Sequence, residues 1–289
     1  MTEAGSVPPE TGVGRVALRV ADLGGQIGFY EEVVGLETLN RGKESATLGT
    51  AGTPLLRLDA RPDLEPRNSD ETGLFHTAFR YPDRGALGDA LARVESAWQL
   101  TGASDHLVSE ALYLDDPEGN GVELYRDRPM EAWEIHDDGT IEMDTLPLDR
   151  EPLREAAHGA NRAQPGTTVG HVHLEVSDAL AARDFYVNDV GLSLKTTQGD
   201  QAVFLAAGEY HHHVGANTWN GRSTPGTGHG LDWFELVVPD EASVTATRER
   251  LAAAGAAPTD RGEAGFAVAD PDGIELRIRA RGSLLVGGP

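Results

Sequence analysis

Five of the ten histidines lie in two short runs whose spacing is suited to metal binding or proton transfer. His171 and His173 stand two residues apart, whereas His211, His212 and His213 are consecutive. Both runs border small and β-branched residues, which predicts strands. Because residues i and i+2 of a strand share a face, the first two should point the same way, and His212 should face away from its neighbours. The runs predict a metal or proton-transfer site without identifying the metal.

Composition limits the partners of such a site. The chain has 289 residues and no cysteine, so a metal would be held by histidine and carboxylate side chains. A net charge of −23 argues against nucleic acid and anionic membranes. No apolar run could span a membrane and the N-terminus lacks a signal-peptide pattern, so we expect a cytoplasmic protein. Dispersed acidity with only two lysines, Lys43 and Lys195, is typical of halophilic proteins.

One unit, a strand followed by a helix and three strands, recurs along the chain and must position these side chains. Gly14–Leu36 aligns without a gap with Gly170–Leu192, and Phe75–Pro82 aligns with Asp232–Pro239. A helix is expected to follow the first strand, capped by Asp22 in the first copy. The sequence therefore predicts four βαβββ modules arranged in two halves.

A less periodic segment separates the two halves. The N-terminal pair of modules covers residues 11–127, and the C-terminal pair covers residues 168–282. Residues 128–167 are rich in Pro, Asp and Glu, which predicts a linker with some ordered structure. Its apolar residues that could pack are Trp133, Ile135, Ile141 and Met143.

Comparison of the four copies indicates which positions carry chemistry. The equivalent first-strand positions are occupied, in chain order, by Arg15, His76, His171 and Trp233. The last strands of copies two and four carry Glu123 and Glu275. Two copies have a histidine and two lack it, which favours two pseudo-equivalent sites, one live and one degenerate.

Several motifs occur in a fixed order outside the linker. They are His76 with Pro82, Asp105-His106, Tyr113, Asp116-Pro117-x-Gly119, Val122-Glu123-Leu124-Tyr125, Gly170-His171 with Asp178, and the histidines of copy three. In this order they resemble the vicinal oxygen chelate superfamily and, within it, the extradiol catechol 2,3-dioxygenases. The resemblance implies an α+β fold in which four βαβββ modules form two paired half-barrel sheets.

The resemblance also implies a metal held by a first-strand histidine from each of two paired modules and by a last-strand glutamate. The matching residues are His76, His171 and Glu123. Family members take their ligands from the last two modules, but here Trp233 replaces the second histidine. We therefore expect modules two and three to pair across the linker, leaving modules one and four as a structural pair. The alternative site in modules three and four would use His171, one of His211–His213, and Glu275.

Two histidines and one carboxylate on one face of a metal leave the opposite face open, as in non-haem Fe(II) oxygenases. The resemblance thus implies an Fe(II) enzyme, with Mn(II) as an alternative, that inserts O₂ into catechol or a substituted catechol. The product would be a 2-hydroxymuconic semialdehyde. Competing functions are a glyoxalase I-like metal-dependent isomerase or lyase and a metal-free small-molecule binding protein. The oligomeric state stays open, a homo-oligomer included.

Further roles follow from the same resemblance. His212 aligns with the acid–base histidine, since imidazole titrates near neutral pH, and a shift of one residue would give that role to His213. His106 and Tyr113 align with groups that hydrogen-bond the substrate or oxygen intermediates, although Tyr113 could also be a core residue. The predicted substrate-binding residues are His173, His213, Asn217 and Trp219.

Overall fold

The computed structural model describes residues 5–262 and 265–282. Module one contains β1 (Gly12–Val20), α1 (Leu23–Phe29), β2 (Glu37–Arg41), β3 (Ser45–Thr50) and β4 (Thr53–Ala60). Module two contains β5 (Gly73–Arg80), α2 (Arg84–Ala97), β6 (Gly102–Asp105), β7 (Ser109–Asp115) and β8 (Gly121–Asp127). The linker contains β9 (Leu146–Pro147) and α3 (Glu151–Glu155). Module three contains β10 (Thr168–Glu175), α4 (Ala179–Asp184), β11 (Ser193–Gln198), β12 (Ala202–Ala206) and β13 (Val214–Asn217). Module four contains β14 (Gly230–Val238), α5 (Glu241–Ala253), β15 (Thr259–Asp260), β16 (Phe266–Ala269) and β17 (Glu275–Ala280).

The helices α1 and α4 begin and end with the same signals. The side chains of Asp22 and Asp178 accept hydrogen bonds from backbone N–H groups two and three residues further on. Both helices continue as π-helical turns and end at Gly35 and Gly191, which have left-handed φ angles of 87° and 91°. The helix predicted to begin at Asp22 is confirmed. In the described parts of the chain, no helix is long and apolar enough to cross a bilayer.

Each sheet combines one module from the N-terminal half of the chain with one module from the C-terminal half. Modules one and four form an eight-stranded sheet in the order β15-β16-β17-β14-β1-β4-β3-β2. Modules two and three form a nine-stranded sheet in the order β11-β12-β13-β10-β5-β8-β7-β6-β9. First strands pair antiparallel at the centre of each sheet, β1 with β14 and β5 with β10. The predicted α+β fold is confirmed, as is the pairing of modules two and three across the linker.

One apolar core holds the two sheets together. Strand β1 packs against β10, and β14 packs against β5. The core draws buried residues from every module, among them Val16, Leu124, Val172 and Leu236. Burial of this surface is the main stabilising contribution to the fold. Modules one and four therefore support the sheet that carries the histidines.

The linker is packed against modules two and three. Strand β9 extends the edge of the nine-stranded sheet by pairing with β6, and α3 packs on α2. Trp133 and Ile141 are buried in a small apolar cluster, with Met143 packed against it, as predicted. Ile135 is 44% exposed, so its predicted packing is wrong.

Candidate active site

Three adjacent strands bring two histidines and a glutamate together. Glu123 on β8 lies opposite Ala78 on β5, and Ala78 lies opposite His171 on β10. His76 precedes Ala78 by two residues and so shares its face of the sheet. The small Ala78 side chain leaves room for the three larger ones to converge above it. His76, Glu123 and His171 are 5%, 2% and 2% exposed.

The spacing of these three side chains fits a divalent metal ion. Oε2 of Glu123 lies 2.9 Å from Nε2 of His76 and 3.1 Å from Nε2 of His171. The two imidazole nitrogens are 3.4 Å apart. Three ligands on one face of an octahedral metal, each about 2.1 Å from the ion, lie about 3 Å from one another. The His₂–carboxylate triad can therefore hold a metal ion.

The charge states of the triad also suit a metal. Burial acts to raise the pKa of Glu123, but His171 and His76 outweigh it and hold that pKa well below its ordinary value. Burial lowers the pKa of His171 to about 4. A carboxylate beside a neutral imidazole is the protonation state that metals require. Nδ1 of His171 has no hydrogen-bond partner in the described structure, so its ring is held by packing against Tyr125 and His212.

The equivalent positions in the eight-stranded sheet hold charged pairs instead. Arg277 lies opposite Glu235 in the ladder of β14 and β17, just as Glu123 lies opposite Ala78. The guanidinium of Arg277 stacks 3.9 Å from the centre of the Trp233 ring. A cation thus occupies the position that Glu123 holds in the other sheet, so these positions do not form a second His₂–carboxylate triad.

Glu275 does not occupy the position predicted from the motif alignment. It lies opposite Trp233, and the corresponding residue opposite His76 is Gly121. Its carboxylate bonds Arg261 at 2.7 Å and Arg277 at 2.6 Å. The two turns precede their last strands by the same number of residues, so alignment from the turn pairs Glu275 with Gly121 and Arg277 with Glu123, and the alignment of Glu275 with Glu123 is wrong by two residues. Glu275 and the copy-three histidines lie in different sheets, so the alternative metal site is not formed.

The triad forms the floor of a cavity of about 310 Å³. Side chains from modules two and three build the walls, namely His106, Tyr113, His173, Phe204, His212 and Trp219. Met143, Asp144 and Thr145 of the linker complete the lining. Sequence reasoning gave the last two no role and gave Met143 only a packing role.

His106 and Tyr113 form a hydrogen-bonded pair on one wall. Tyr113 lies opposite Glu123 in the ladder of β7 and β8. Its hydroxyl is 2.6 Å from Nε2 of His106, whose Nδ1 is 2.7 Å from the carbonyl oxygen of Asp144. Because a carbonyl only accepts, Nδ1 carries the proton and Tyr113 donates to Nε2. Burial and then Glu123 raise the pKa of Tyr113 well above its ordinary value, which keeps it a neutral donor.

His212 lies directly against the triad and is backed by a second histidine. Its ring centre is 4.0 Å from that of His171. Nδ1 of His212 is 2.7 Å from Nδ1 of His211, and Nε2 of His211 is 3.0 Å from Oδ1 of Asp127. Burial acts to raise the pKa of Asp127, but the bond from His211 and further partners hold it below its ordinary value.

These contacts indicate which ring nitrogens of His211 and His212 carry a proton. The ionised Asp127 accepts the Nε2 proton of His211, so in the neutral form of that ring Nδ1 of His211 accepts from Nδ1 of His212. Nε2 of His212 is then left without a proton in a ring that lines the cavity. Sequence reasoning missed Asp127, although its position four residues after Glu123 on the same strand face was a usable signal.

The run of three histidines is not a strand, so that prediction is wrong. β13 begins at Val214, and a turn through Gly208 precedes the histidines. The predicted alternation is present only in part. His211 and His213 both contact the ring of Tyr210 and His212 contacts His171, but His211 and His212 also hydrogen-bond each other at 2.7 Å.

Two of the four predicted substrate-binding residues line the cavity. His173 and Trp219 do so, with ring centres 5.3 Å apart. Nδ1 of His213 instead accepts a hydrogen bond from the backbone of Ala207, and Oδ1 of Asn217 accepts one from the backbone of Trp219. Neither His213 nor Asn217 reaches the cavity. Their side chains hold the loops on either side of β13, so the structure does not support substrate contact for them.

Comparison with known proteins places the chain in a family. The Glyoxalase/Bleomycin resistance protein/Dioxygenase superfamily matches residues 12–124 and 168–278. A catechol-2,3-dioxygenase from Bacillus subtilis (strain 168) is 37% identical over 275 residues, which cover 92% of this chain and 96% of that protein. A biphenyl-2,3-diol 1,2-dioxygenase 2 from Rhodococcus globerulus is 41% identical over 75 residues, covering 24% of this chain and 37% of that protein.

Solved structures share the fold at low sequence identity. One from Bacillus subtilis matches with a TM-score of 0.67 and 16% identity, covering 96% of this chain and 86% of that chain. Glyoxalase I from Zea mays matches with a TM-score of 0.58 and 16% identity, covering 94% and 92%. As the ordered motifs predicted, the chain belongs to the Glyoxalase/Bleomycin resistance protein/Dioxygenase superfamily and is a homologue of a catechol-2,3-dioxygenase.

Proposed function

We propose that the protein is an Fe(II)-dependent extradiol dioxygenase that cleaves catechol or a substituted catechol beside the diol. The supporting observation is the convergence of His76, His171 and Glu123 at 2.9–3.4 Å on the floor of a cavity. The relative that spans nearly the whole chain is a catechol-2,3-dioxygenase. Both atoms of O₂ would enter the product, a 2-hydroxymuconic semialdehyde, so the reaction needs no external reductant.

The triad would hold the metal, and the open face would receive the substrates. Bound Fe(II) would supply adjacent positions for the catechol oxygens and O₂, together with electron transfer between them. The same donor set also suits Mn(II), which is the alternative metal. Phe204 would hold the aromatic ring, Trp219 would exclude water, and His173 would contact the substrate beside the triad.

His212 would accept a proton from the substrate hydroxyl at Nε2. Burial, then His171 and His211, hold the pKa of His212 well below its ordinary value, so the imidazole is neutral and able to accept. Asp127 and His211 would act as positioning residues that fix its tautomer. The Tyr113 hydroxyl, whose single proton is donated to His106, would accept a hydrogen bond from a substrate hydroxyl.

One ladder position favours this function over a glyoxalase I-like isomerase. That activity would bring a fourth protein ligand from the other last strand. In module three the residue corresponding to Glu123 is Gly215, which lies opposite His173 as Glu123 lies opposite Ala78. A glycine offers no ligand. A Cβ atom there would also lie 2.9 Å from the ring of His173, so the position is kept small.

The test is reconstitution followed by ring cleavage. Protein loaded anaerobically with Fe(II) in high salt is mixed with catechol and oxygenated buffer. We expect a yellow product and one O₂ consumed per catechol. The Glu123→Gln variant, treated in the same way, should give neither. The absence of colour and O₂ uptake with every simple catechol tried would rule out the dioxygenase.

A further inference from the structure

We propose that the cavity selects catechols whose ring substituent is uncharged and apolar and rejects catechols that carry a carboxylate. This inference rests on the proposed function, because it concerns the substrate of the same site. Its starting point is the cavity lining, which in the described part of the chain contains no arginine and no lysine.

A carboxylate taken from water into such a cavity would find no cationic partner. Burying an ionised carboxylate without a partner is strongly unfavourable, and arginine and lysine are the side chains that compensate for it. The carboxylates already in the lining belong to Glu123 and Asp144. Asp144 is exposed at the rim, on a chain whose net charge is −23. Asp144 and the net charge would therefore repel an anionic ring substituent at the rim, while the diol binds the metal at the floor.

Cationic side chains near the cavity are bound to other acidic groups. Arg128 bonds Asp105 at 2.5 Å, and Arg126 bonds Glu110 at 2.6 Å. Lys195 directly precedes lining residues on β11, yet its side chain does not line the cavity. A carboxylated catechol would have to draw Arg126 or Arg128 from an existing ion pair, or Lys195 from outside the lining, to gain a partner.

One part of the wall is suited to an apolar substituent. Phe75, Phe204 and Met143 contribute apolar surface to the lining. The ring centre of Trp219 lies 5.4 Å from that of Phe75, and Trp219 is 41% exposed. An alkyl or aryl group on the catechol would cover part of this exposed ring. The substituent would then gain binding free energy by removing apolar surface from water.

The test compares neutral and anionic catechols on one protein. Dissociation constants are measured under nitrogen on Zn(II)-loaded protein, and kcat/KM is measured on Fe(II)-loaded protein. The neutral probes are catechol, 4-methylcatechol and 4-ethylcatechol, and the anionic probe is 3,4-dihydroxybenzoate. We expect about a hundredfold preference for 4-methylcatechol over the anion, or about 2.7 kcal/mol. Affinity should rise about fourfold with each added methylene.

Two tryptophan variants test the proposed wall. Trp219→Ala should abolish most of the gain from methyl and ethyl groups while changing catechol binding less. Trp98, which is 38% exposed and lies outside the cavity lining, gives the matched control, because Trp98→Ala should leave the whole series unchanged.

The outcomes separate this inference from the proposed function. A preference below tenfold, equal binding of the anion, or no binding of any neutral catechol would overturn the inference. Ring cleavage of both classes at similar rates would leave the dioxygenase standing and refute the preference. Selective binding of neutral catechols without O₂ uptake by the Fe(II) protein would support the preference and refute the dioxygenase.

Discussion

Nδ1 of His211 lies 2.7 Å from Nδ1 of His212, in a hydrogen-bonded chain that begins at Asp127. Two neutral imidazoles in such contact share one proton between them, so one donates and the other accepts. Because the carboxylate of Asp127 accepts the Nε2 proton of His211, His212 is the donor in the hydrogen bond between the two rings. The chain therefore fixes the tautomer of His212 before a substrate binds.

Replacing His211 should slow turnover without releasing the metal. In His211→Phe, Nδ1 of His212 loses its acceptor, and we expect kcat to fall roughly 10- to 100-fold with metal content unchanged. His211→Asn keeps an acceptor oxygen and should recover part of the rate. His213→Phe is the matched control in the same run, since His213 does not line the cavity. Stopped-flow rates and metal analysis of the three variants check this, and equal losses in the Phe variants would contradict it.

Removing Glu123 should weaken metal binding, whereas removing Glu275 should not. Glu123→Ala leaves only the two histidines, and we expect at least about a tenfold loss of metal affinity. Glu275→Ala removes a carboxylate that bonds Arg261 and Arg277 in the other sheet. Metal content after dialysis measures both variants. Loss of metal in the Glu275 variant alone would refute the assigned triad.

Asp270 should make stability depend on pH. Burial raises its pKa to about 6, above the value of about 3.9 expected for an unfolded chain. The folded state therefore binds this proton more tightly, and the resulting stability is complete below about pH 4 and lost as the pH rises through 6. In Asp270→Asn this titration is absent. Between pH 5 and 7 the wild-type free energy of unfolding should fall by about 1 kcal/mol relative to the variant. Urea unfolding at several pH values measures this, and a constant difference would count against it.

High salt should stabilise the fold by screening its own charge. The chain carries 47 acidic and 24 basic residues, giving the net charge of −23. The Debye length is about 10 Å at 0.1 M salt and about 3 Å at 1 M, so dilution restores the repulsion. We expect Tm to fall by roughly 5–10 °C on dilution, a loss of a few kcal/mol. Sucrose at matched osmolality controls for general exclusion effects and should not restore Tm. Full stability at low salt would exclude a halophilic adaptation.

The repeat made the triad predictable, because each module served as a control for the others. His76 and His171 stand at one repeat position, and their shared difference from Arg15 and Trp233 indicated which modules pair. Glu275 was misplaced because Ile274-Glu275-Leu276 resembles Val122-Glu123-Leu124. Counted from the turn, Glu275 corresponds to Gly121, and the ladder likewise places Arg277 at the position of Glu123.

Other parts of the site left no local pattern in the sequence. His211–His213 carry strand-like alternation, yet the chain does not enter the β13 ladder until Val214. Met143 and Asp144 reach the cavity through the packing of a linker that has no regular period. Such contacts depend on the long-range path of the chain, which hydrophobic periodicity does not encode.

The antiparallel seam between β5 and β10 has a consequence for the order in which the protein can assemble. Glu123 and His171 are 48 residues apart in sequence, and His76 and His171 are 95 apart. Strand β1 is separated from its partner β14 by a longer stretch of chain, since Arg15 and Glu235 are 220 positions apart. During synthesis, modules one and two therefore leave the ribosome with their central strand edges unpaired. The nine-stranded sheet can therefore close while module four is still being synthesised, so His76, Glu123 and His171 can come together before the eight-stranded sheet is complete.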